Sequence, residues 1–105
     1  MQRTALSLIL ALTCMTASGA TVFGNHDCGR WIKDRSGHAK SWLLGYLSGL
    51  NLLGSTDKQD PLDQLRSAEQ AFVWMDNYCQ KDPLSTVAAG ARELYIELRR
   101  RVPNQ

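Results

Sequence analysis

The residues of this chain that could carry out chemistry are few and widely spaced. Either histidine, His26 or His38, could serve as a general base for Ser48 or act together with Asp76. A hydrolase needs such groups to converge, and no nucleophile elbow, phosphate-binding loop or metal-binding helix motif accompanies them. We therefore expect no catalytic residue, and a small hydrolase stays a distant alternative.

A metal or cofactor site is also not indicated. His26 and Cys28 are close in sequence, but no second pair with ligand spacing follows them. The cysteines do not form the Cys-x-x-Cys arrangement that usually accompanies a redox-active thiol. We expect neither a bound metal nor a cofactor.

The first twenty residues have the pattern of a cleaved secretion signal. Arg3 gives a positive start, residues 5–15 form an apolar core, and Ser18-Gly19-Ala20 supplies small residues at the cleavage site. A retained anchor would need roughly 20 apolar residues, and the sequence before Cys14 is a poor lipoprotein signal. Cleavage after Ala20 would leave a single domain, residues 21–105, in the periplasm or outside the cell, with no stable membrane span.

Cleavage of the leader would change the number of cysteines in the mature chain. It removes Cys14 and leaves Cys28 and Cys79, which are 51 positions apart, in a compartment that permits disulfides. Closing a loop of that size stabilises a small domain by about 4 kcal/mol in the chain-entropy estimate. We expect a structural disulfide on which folding depends.

The secondary-structure elements that position the histidines, Ser48, Asp76 and the cysteines are predicted to be helices. Apolar residues recur at helical spacing, and Asp60-Pro61 and Asp82-Pro83 each offer an N-cap acid followed by proline. The pattern predicts an all-α fold, a compact four-helix bundle of one short and three longer helices closed by one disulfide. The helices are expected near residues 27–35, 39–53, 61–79 and 83–101.

The helix at 39–53 has the broadest apolar face, so we expect it to be central and largely buried. Gly45 and Gly49 lie four residues apart, and we expect the helix that bears Phe72 and Trp74 to cross there. Aromatic residues at helical spacing favour core packing. The predicted helix-packing core is Trp31, Trp42, Gly45, Tyr46, Gly49, Phe72, Trp74 and Tyr78.

The charge of the chain indicates no nucleic-acid partner, because its formal net charge is only +2. Its one basic run, Arg99-Arg100-Arg101, falls where the last helix should end and complements the helix dipole there. Residues 54–60 form the only sizeable polar connection, and loops on a rigid scaffold often carry recognition. The candidate partner-binding loop is Ser55, Thr56, Asp57, Lys58 and Gln59.

Four pieces of sequence are similar to those of known small periplasmic proteins. They are Cys28-Gly29-Arg30-Trp31, the run from Trp42 to Gly49, the run from Trp74 to Cys79, and Asp82-Pro83-Leu84 with the last helix. This framework resembles the secreted immunity proteins that neutralise type VI amidase effectors, the Tai group. Its outline is also similar to the HdeA/HdeB acid-stress chaperones. The resemblance implies a helical periplasmic domain closed by one disulfide, and every matching residue serves the fold.

The sequence thus favours a non-enzymatic exported protein-binding module of the immunity or inhibitor type. Its partner would be a protein, such as a secreted effector. The sequence does not decide whether the chain also forms a homodimer. An acid-stress chaperone is the alternative. It is disfavoured because acid loosening requires many carboxylates, whereas the chain has only 10 acidic residues.

Overall fold

The computed structural model describes residues 20–103, which form four α-helices and one disulfide, between Cys28 and Cys79. The all-α four-helix fold and its disulfide are therefore confirmed. Cys14 and the rest of the predicted leader before Ala20 lie outside the described residues. The helices are α1 (Cys28–Lys33), α2 (His38–Gly54), α3 (Ala68–Lys81) and α4 (Val87–Arg101), with a 3₁₀ helix at Pro61–Gln64 before α3.

The junction between α1 and α2 is closed by one carboxylate. Asp34 ends α1, and its side chain accepts hydrogen bonds from the backbone N–H groups of Ser36 at 2.9 Å and Ala39 at 2.8 Å. Gly37 then takes a left-handed conformation with φ of 85°, which a residue with a side chain adopts only with strain. The interruption expected between the helices near 27–35 and 39–53 is therefore present, and it turns the chain directly into α2.

The prediction of one continuous helix over 61–79 is wrong. Pro61 starts a 3₁₀ helix, Leu65 is extended, and α3 begins only at Ala68. Leu62, Leu65 and Ala68 recur every three residues, and that spacing fits a 3₁₀ turn as well as an α-helical face. Leu62 and Leu65 still pack against the core. The apolar positions are therefore predicted correctly, although the α-helix that was expected to bear them is absent there.

The prediction of a helix starting at Pro83 is also wrong. Asp82 is the C-cap of α3, and α4 begins at Val87, where the side chain of Thr86 caps the backbone N–H of Ala89. The backbone before α4 is held extended by pairing with the N-terminal segment. The N–H of Val87 donates to the carbonyl of His26 at 2.8 Å, and the N–H of Cys28 donates to Ser85 at 3.0 Å.

The central helix is α4, not α2 as the sequence predicted. It packs against α2, α3 and the 3₁₀ helix. Only Ala39, Leu43 and Leu47 of α2 are buried. The buried residues of α4 are Val87, Ala88, Gly90, Ala91, Leu94, Tyr95 and Leu98. Several of these are small, and small side chains let neighbouring helices approach α4 closely on more than one side.

The predicted close helix crossing at Gly45 and Gly49 is absent. Both glycines are exposed, and a Cβ atom added at either would meet nothing within 4 Å. The close approach occurs instead at Gly90 of α4, where an added Cβ would lie 2.7 Å from Cδ1 of Tyr78 and 2.8 Å from Sδ of Met75. The α3–α4 contact therefore needs a glycine that sequence analysis did not single out.

The six aromatic members of the predicted core do contribute to packing. Trp31 is buried, and the other five are half-buried against the core: Trp42, Tyr46, Phe72, Trp74 and Tyr78. Trp31 also donates from Nε1 to Oδ1 of Asp76 at 2.7 Å. This bond reinforces the α1–α3 contact, which the fully buried disulfide closes with a Cα–Cα distance of 5.0 Å.

Candidate partner-binding surface

The predicted binding loop is a tight, ordered turn that follows α2. Thr56 and Gln59 exchange two backbone hydrogen bonds, of 2.8 and 3.2 Å, and Oγ1 of Thr56 also accepts from the N–H of Gln59 at 3.1 Å. Ser55 caps α2 through its own N–H. Asp57 and Lys58 form the exposed tip. The turn therefore presents one acidic and one basic side chain from a fixed backbone.

Asn51 anchors this turn to the bundle. Its Nδ2 donates to Oδ1 of Asp60 at 2.8 Å, and its Oδ1 accepts from the N–H of Leu62 at 3.3 Å and from the hydroxyl of Tyr95 at 3.4 Å. The single amide thus joins α2, the 3₁₀ helix and α4. Sequence analysis missed Asn51, although a lone amide within the apolar run from Leu50 to Leu53 was the available signal.

A shallow cleft of about 210 Å³ lies beside the turn. It is bounded by the turn, by the 3₁₀ helix, and by Val102 and Pro103 after α4. Asp57, Asp60 and Asp63 line it, with Lys58 as its cation. The cleft is therefore polar and mildly acidic, which suits contacts with a protein surface better than the enclosure of an apolar ligand.

The outward face of α2 leads directly to this turn and bears two exposed leucines at its end. It lies opposite the buried Leu43 and Leu47, and Leu52 and Leu53 are 82% and 91% exposed on it. The face consists of Ser41, Gly45, Ser48, Gly49, Leu52 and Leu53. Surface helices normally present charged residues opposite the core, and this face has none. Leu52 and Leu53 therefore form a small apolar patch next to the turn.

The two histidines do share one cleft, which has a volume of about 470 Å³. Arg30 and Lys33 of α1 line it as well, together with Asp34. Nδ1 of His26 is buried and has no hydrogen-bond partner within residues 20–103. Sequence analysis did not predict that His26 and His38 would lie together, because the N-terminal segment is placed by its pairing with the start of α4.

Ser48 and Asp76 do not line that cleft. The hydroxyl of Ser48 donates to the carbonyl of Leu44 in its own helix at 2.7 Å, and Asp76 accepts from Trp31. The four residues weighed for hydrolysis therefore do not converge as a nucleophile, base and orienting group. Across residues 20–103, no group of three or more His, Cys, Asp or Glu side chains is placed to hold a metal ion.

Two carboxylates have pKa values below their ordinary values, for local reasons. The pKa of Asp34 falls to about 2, mainly because it accepts the hydroxyl hydrogen bond of Ser36 and backbone bonds at the start of α2. The pKa of Glu97 is lowered because it accepts the indole N–H of Trp74 and pairs with Arg101. Both serve the fold, since one caps a helix and the other joins α3 to α4.

A groove of about 610 Å³ runs between the 3₁₀ helix, α3 and α4. Leu65, Val73 and Leu98 are among its apolar residues. On its wall Trp74 stacks on Tyr78 with ring centroids 5.5 Å apart. Sequence analysis did not predict this groove, because it depends on the break between the 3₁₀ helix and α3.

Comparison with protein-family models, curated proteins and solved structures found no match to this chain. No helix within the described residues is both long enough and apolar enough to cross a membrane. The disulfide is typical of proteins in oxidising compartments outside the cytosol.

Proposed function

We propose that this protein is a non-enzymatic, exported protein-binding module of the immunity or inhibitor type. Its recognition surface is the turn 55–59. The observation that carries the proposal is the preformed backbone of that turn, which its internal hydrogen bonds and Asn51 hold against three elements of the bundle. A surface ordered before binding loses less conformational entropy on association, which favours tight inhibition.

The location of the turn supports this function. It lies at the end of the bundle where α4 ends, while the disulfide lies near the start of α4. A covalent closure at one end leaves the other end free for recognition. Periplasmic residence, after removal of the predicted leader, would keep the disulfide oxidised.

The alternatives have less support. A hydrolase would need Ser48 or Asp76 beside a histidine, and these residues instead bond to Leu44 and Trp31. An acid-stress chaperone would need to loosen as carboxylates are protonated. The low pKa of Asp34 keeps the junction of α1 and α2 capped until the pH approaches about 2. Near-UV dichroism that persists at about pH 3 would exclude the chaperone.

The binding test exchanges the two tip charges in the double variant Asp57→Lys/Lys58→Asp. The exchange keeps composition and net charge, so only the pattern presented to a partner changes. Wild-type protein used as bait in periplasmic extract should retain a specific partner. The variant should bind that partner at least about a hundredfold more weakly, which is the effect expected when hot-spot residues are changed.

The matched control exchanges the charges of Lys81 and Asp82, which are exposed at the C-terminal end of α3. This variant should bind like wild type. If the tip exchange leaves binding of the captured protein unchanged, the turn is not the recognition surface. Equal loss in both variants would point to a fold defect, and urea unfolding of each variant separates that case.

A further inference from the structure

The cleft that contains both histidines is a separate feature from the turn 55–59. Its volume is about 470 Å³, which is within the range of small-molecule sites. The cleft lies beside the start of α2, whereas the turn follows its end, and the 17 residues of α2 separate the two by about 25 Å. The proposed partner-binding surface therefore does not use this cleft.

The lining of the cleft is polar and largely basic. Four of the eight residues that line it have basic side chains: His26, Arg30, Lys33 and His38. The others are two aspartates, one serine and one glycine, so no aliphatic side chain of the described residues lines the cleft. An apolar ligand would have nothing to pack against there, whereas an anion would meet four basic groups.

The two aspartates of the cleft do not pair with its cations. Asp27 is the N-cap of α1 and accepts the backbone N–H of Arg30 at 2.7 Å. Asp34 accepts two backbone N–H groups at the junction between α1 and α2. Neither Arg30 nor Lys33 forms an ion pair with a carboxylate within residues 20–103. Their charges are therefore available to an anion from solution.

The segment around the cleft also carries the positive excess of the chain. Residues 26–40 contain four lysine or arginine residues and two aspartates. Their formal charge of +2 equals the formal net charge of the whole chain. Arg30 and Lys33 are three residues apart on α1, so they are neighbours on one face of that helix. The segment therefore attracts an anion and presents two adjacent cationic groups to it.

His26 adds a hydrogen-bond donor to the wall of the cleft. Its Nδ1 is buried and has no hydrogen-bond partner among the described residues. A proton on Nδ1 would leave a buried N–H without an acceptor, so the ring donates through Nε2 instead. The backbone carbonyl of His26 accepts the N–H of Val87 at 2.8 Å, which fixes this residue beside the cleft.

We propose that this cleft binds a phosphate group, either as the free ion or as the ester of a small polar molecule. The guanidinium of Arg30 is a planar fork that matches two phosphate oxygens, and the ammonium of Lys33 adds a second charge. The cleft has room for more than a phosphate ion, and its polar lining suits a hydroxylated carrier such as a sugar. Arg30 and Lys33 are exposed, so the affinity is modest and decreases with salt concentration.

The histidines provide the probe for a binding test, because His26 and His38 are the only two in the chain and both line the cleft. Their imidazole NMR signals should be followed in untagged, disulfide-intact protein at constant pH and ionic strength. Inorganic phosphate and glucose 6-phosphate should each shift these signals along a saturation curve, with a dissociation constant of about 1 mM or lower. Glucose and chloride should cause no such shift.

The two phosphate ligands distinguish the sources of the group. Tighter binding of the ester would show that the carrier also contacts the cleft, and equal binding would assign the site to the free ion; both results support the proposal. No saturation by about 10 mM of either ligand would overturn it. A shift with glucose or chloride equal to that with phosphate would also overturn it, because the phosphate group would then not be recognised.

A matched pair of variants separates contact from general attraction. Arg30→Gln removes a charge from the cleft, and Arg35→Gln removes the same charge from an exposed residue of the same segment that does not line the cleft. Arg30→Gln should bind phosphate at least about tenfold more weakly, whereas Arg35→Gln should stay within about twofold of wild type. The side chain of Arg30 is exposed and its backbone bond to Asp27 remains, so the variant should fold, which urea unfolding verifies. Equal weakening in both variants would overturn the proposal, because the charge of the segment alone would then explain binding.

Discussion

Gly90 lies in the middle of α4, where that helix faces Met75 and Tyr78 of α3. Replacing it with alanine would place a methyl group 2.7 Å from Cδ1 of Tyr78 and 2.8 Å from Sδ of Met75. The ring of Tyr78 is held in place, and the flexible side chain of Met75 has no solvent to move into. Tyr78 stacks on Trp74 and shares a 2.6 Å hydrogen bond with Ser85, while Met75 is fully buried. The added methyl must therefore displace packed atoms.

Two opposing contributions decide the effect of Gly90→Ala. Alanine is favoured over glycine in a helix interior by about 1 kcal/mol. Overpacking a tight core costs about 1–3 kcal/mol. We therefore expect a net loss of about 1 kcal/mol in the free energy of unfolding. For a domain of this size that corresponds to a decrease in Tm of about 5 °C.

Gly45→Ala and Gly49→Ala are the matched controls, because they make the same chemical change where nothing lies within 4 Å. Each should raise the free energy of unfolding by up to about 1 kcal/mol, through helix propensity alone. Urea unfolding of the disulfide-intact protein measures the free energy of unfolding of all three variants. If Gly90→Ala is as stable as wild type or more so, α3 and α4 do not pack as described.

Three further predictions concern the disulfide, the helix cap and the surface. Replacing Cys28 and Cys79 with serine should lower the free energy of unfolding by about 4 kcal/mol, and an unchanged Tm would contradict this. Asp34 has a lowered pKa, so its contribution to stability is complete above about pH 4 and is lost as the pH falls through about 2; Asp34→Asn should show a weaker dependence on pH in urea unfolding between about pH 2 and 5. Leu84→Ser should change stability by less than about 0.5 kcal/mol, and a larger loss in the same assay would mean that Leu84 packs against the bundle.

The sequence was sufficient for the helical class and for the disulfide because both depend on local patterns and on counting. Apolar spacing identified the helices, and the pair Cys28–Cys79 followed once the leader was set aside. Helix starts were less predictable because several residues compete as caps. Asp82-Pro83 and Thr86 are both good start signals, and the pairing of residues 26–28 with 85–87 selects Thr86.

The order of burial could not be predicted from the apolar pattern. Helix α2 has the broader apolar face, yet α4 is central because its buried face includes Ala88, Gly90 and Ala91. Small residues allow neighbouring helices to approach from several sides, and their importance appears only when those neighbours are in place. The anchoring role of Asn51 was hidden for the same reason, since its partners come from three separate elements.

Because α4 is the central helix, not all apolar residues of α2 are needed for the core. A helix surrounded by others would bury apolar residues on every side. Because α2 packs against the bundle along the side that bears Leu43 and Leu47, Leu52 and Leu53 exceed what the core needs. Solubility alone would favour charged residues at these exposed positions. The exposure of Leu52 and Leu53 therefore follows from the central place of α4, which leaves α2 on the outside of the bundle.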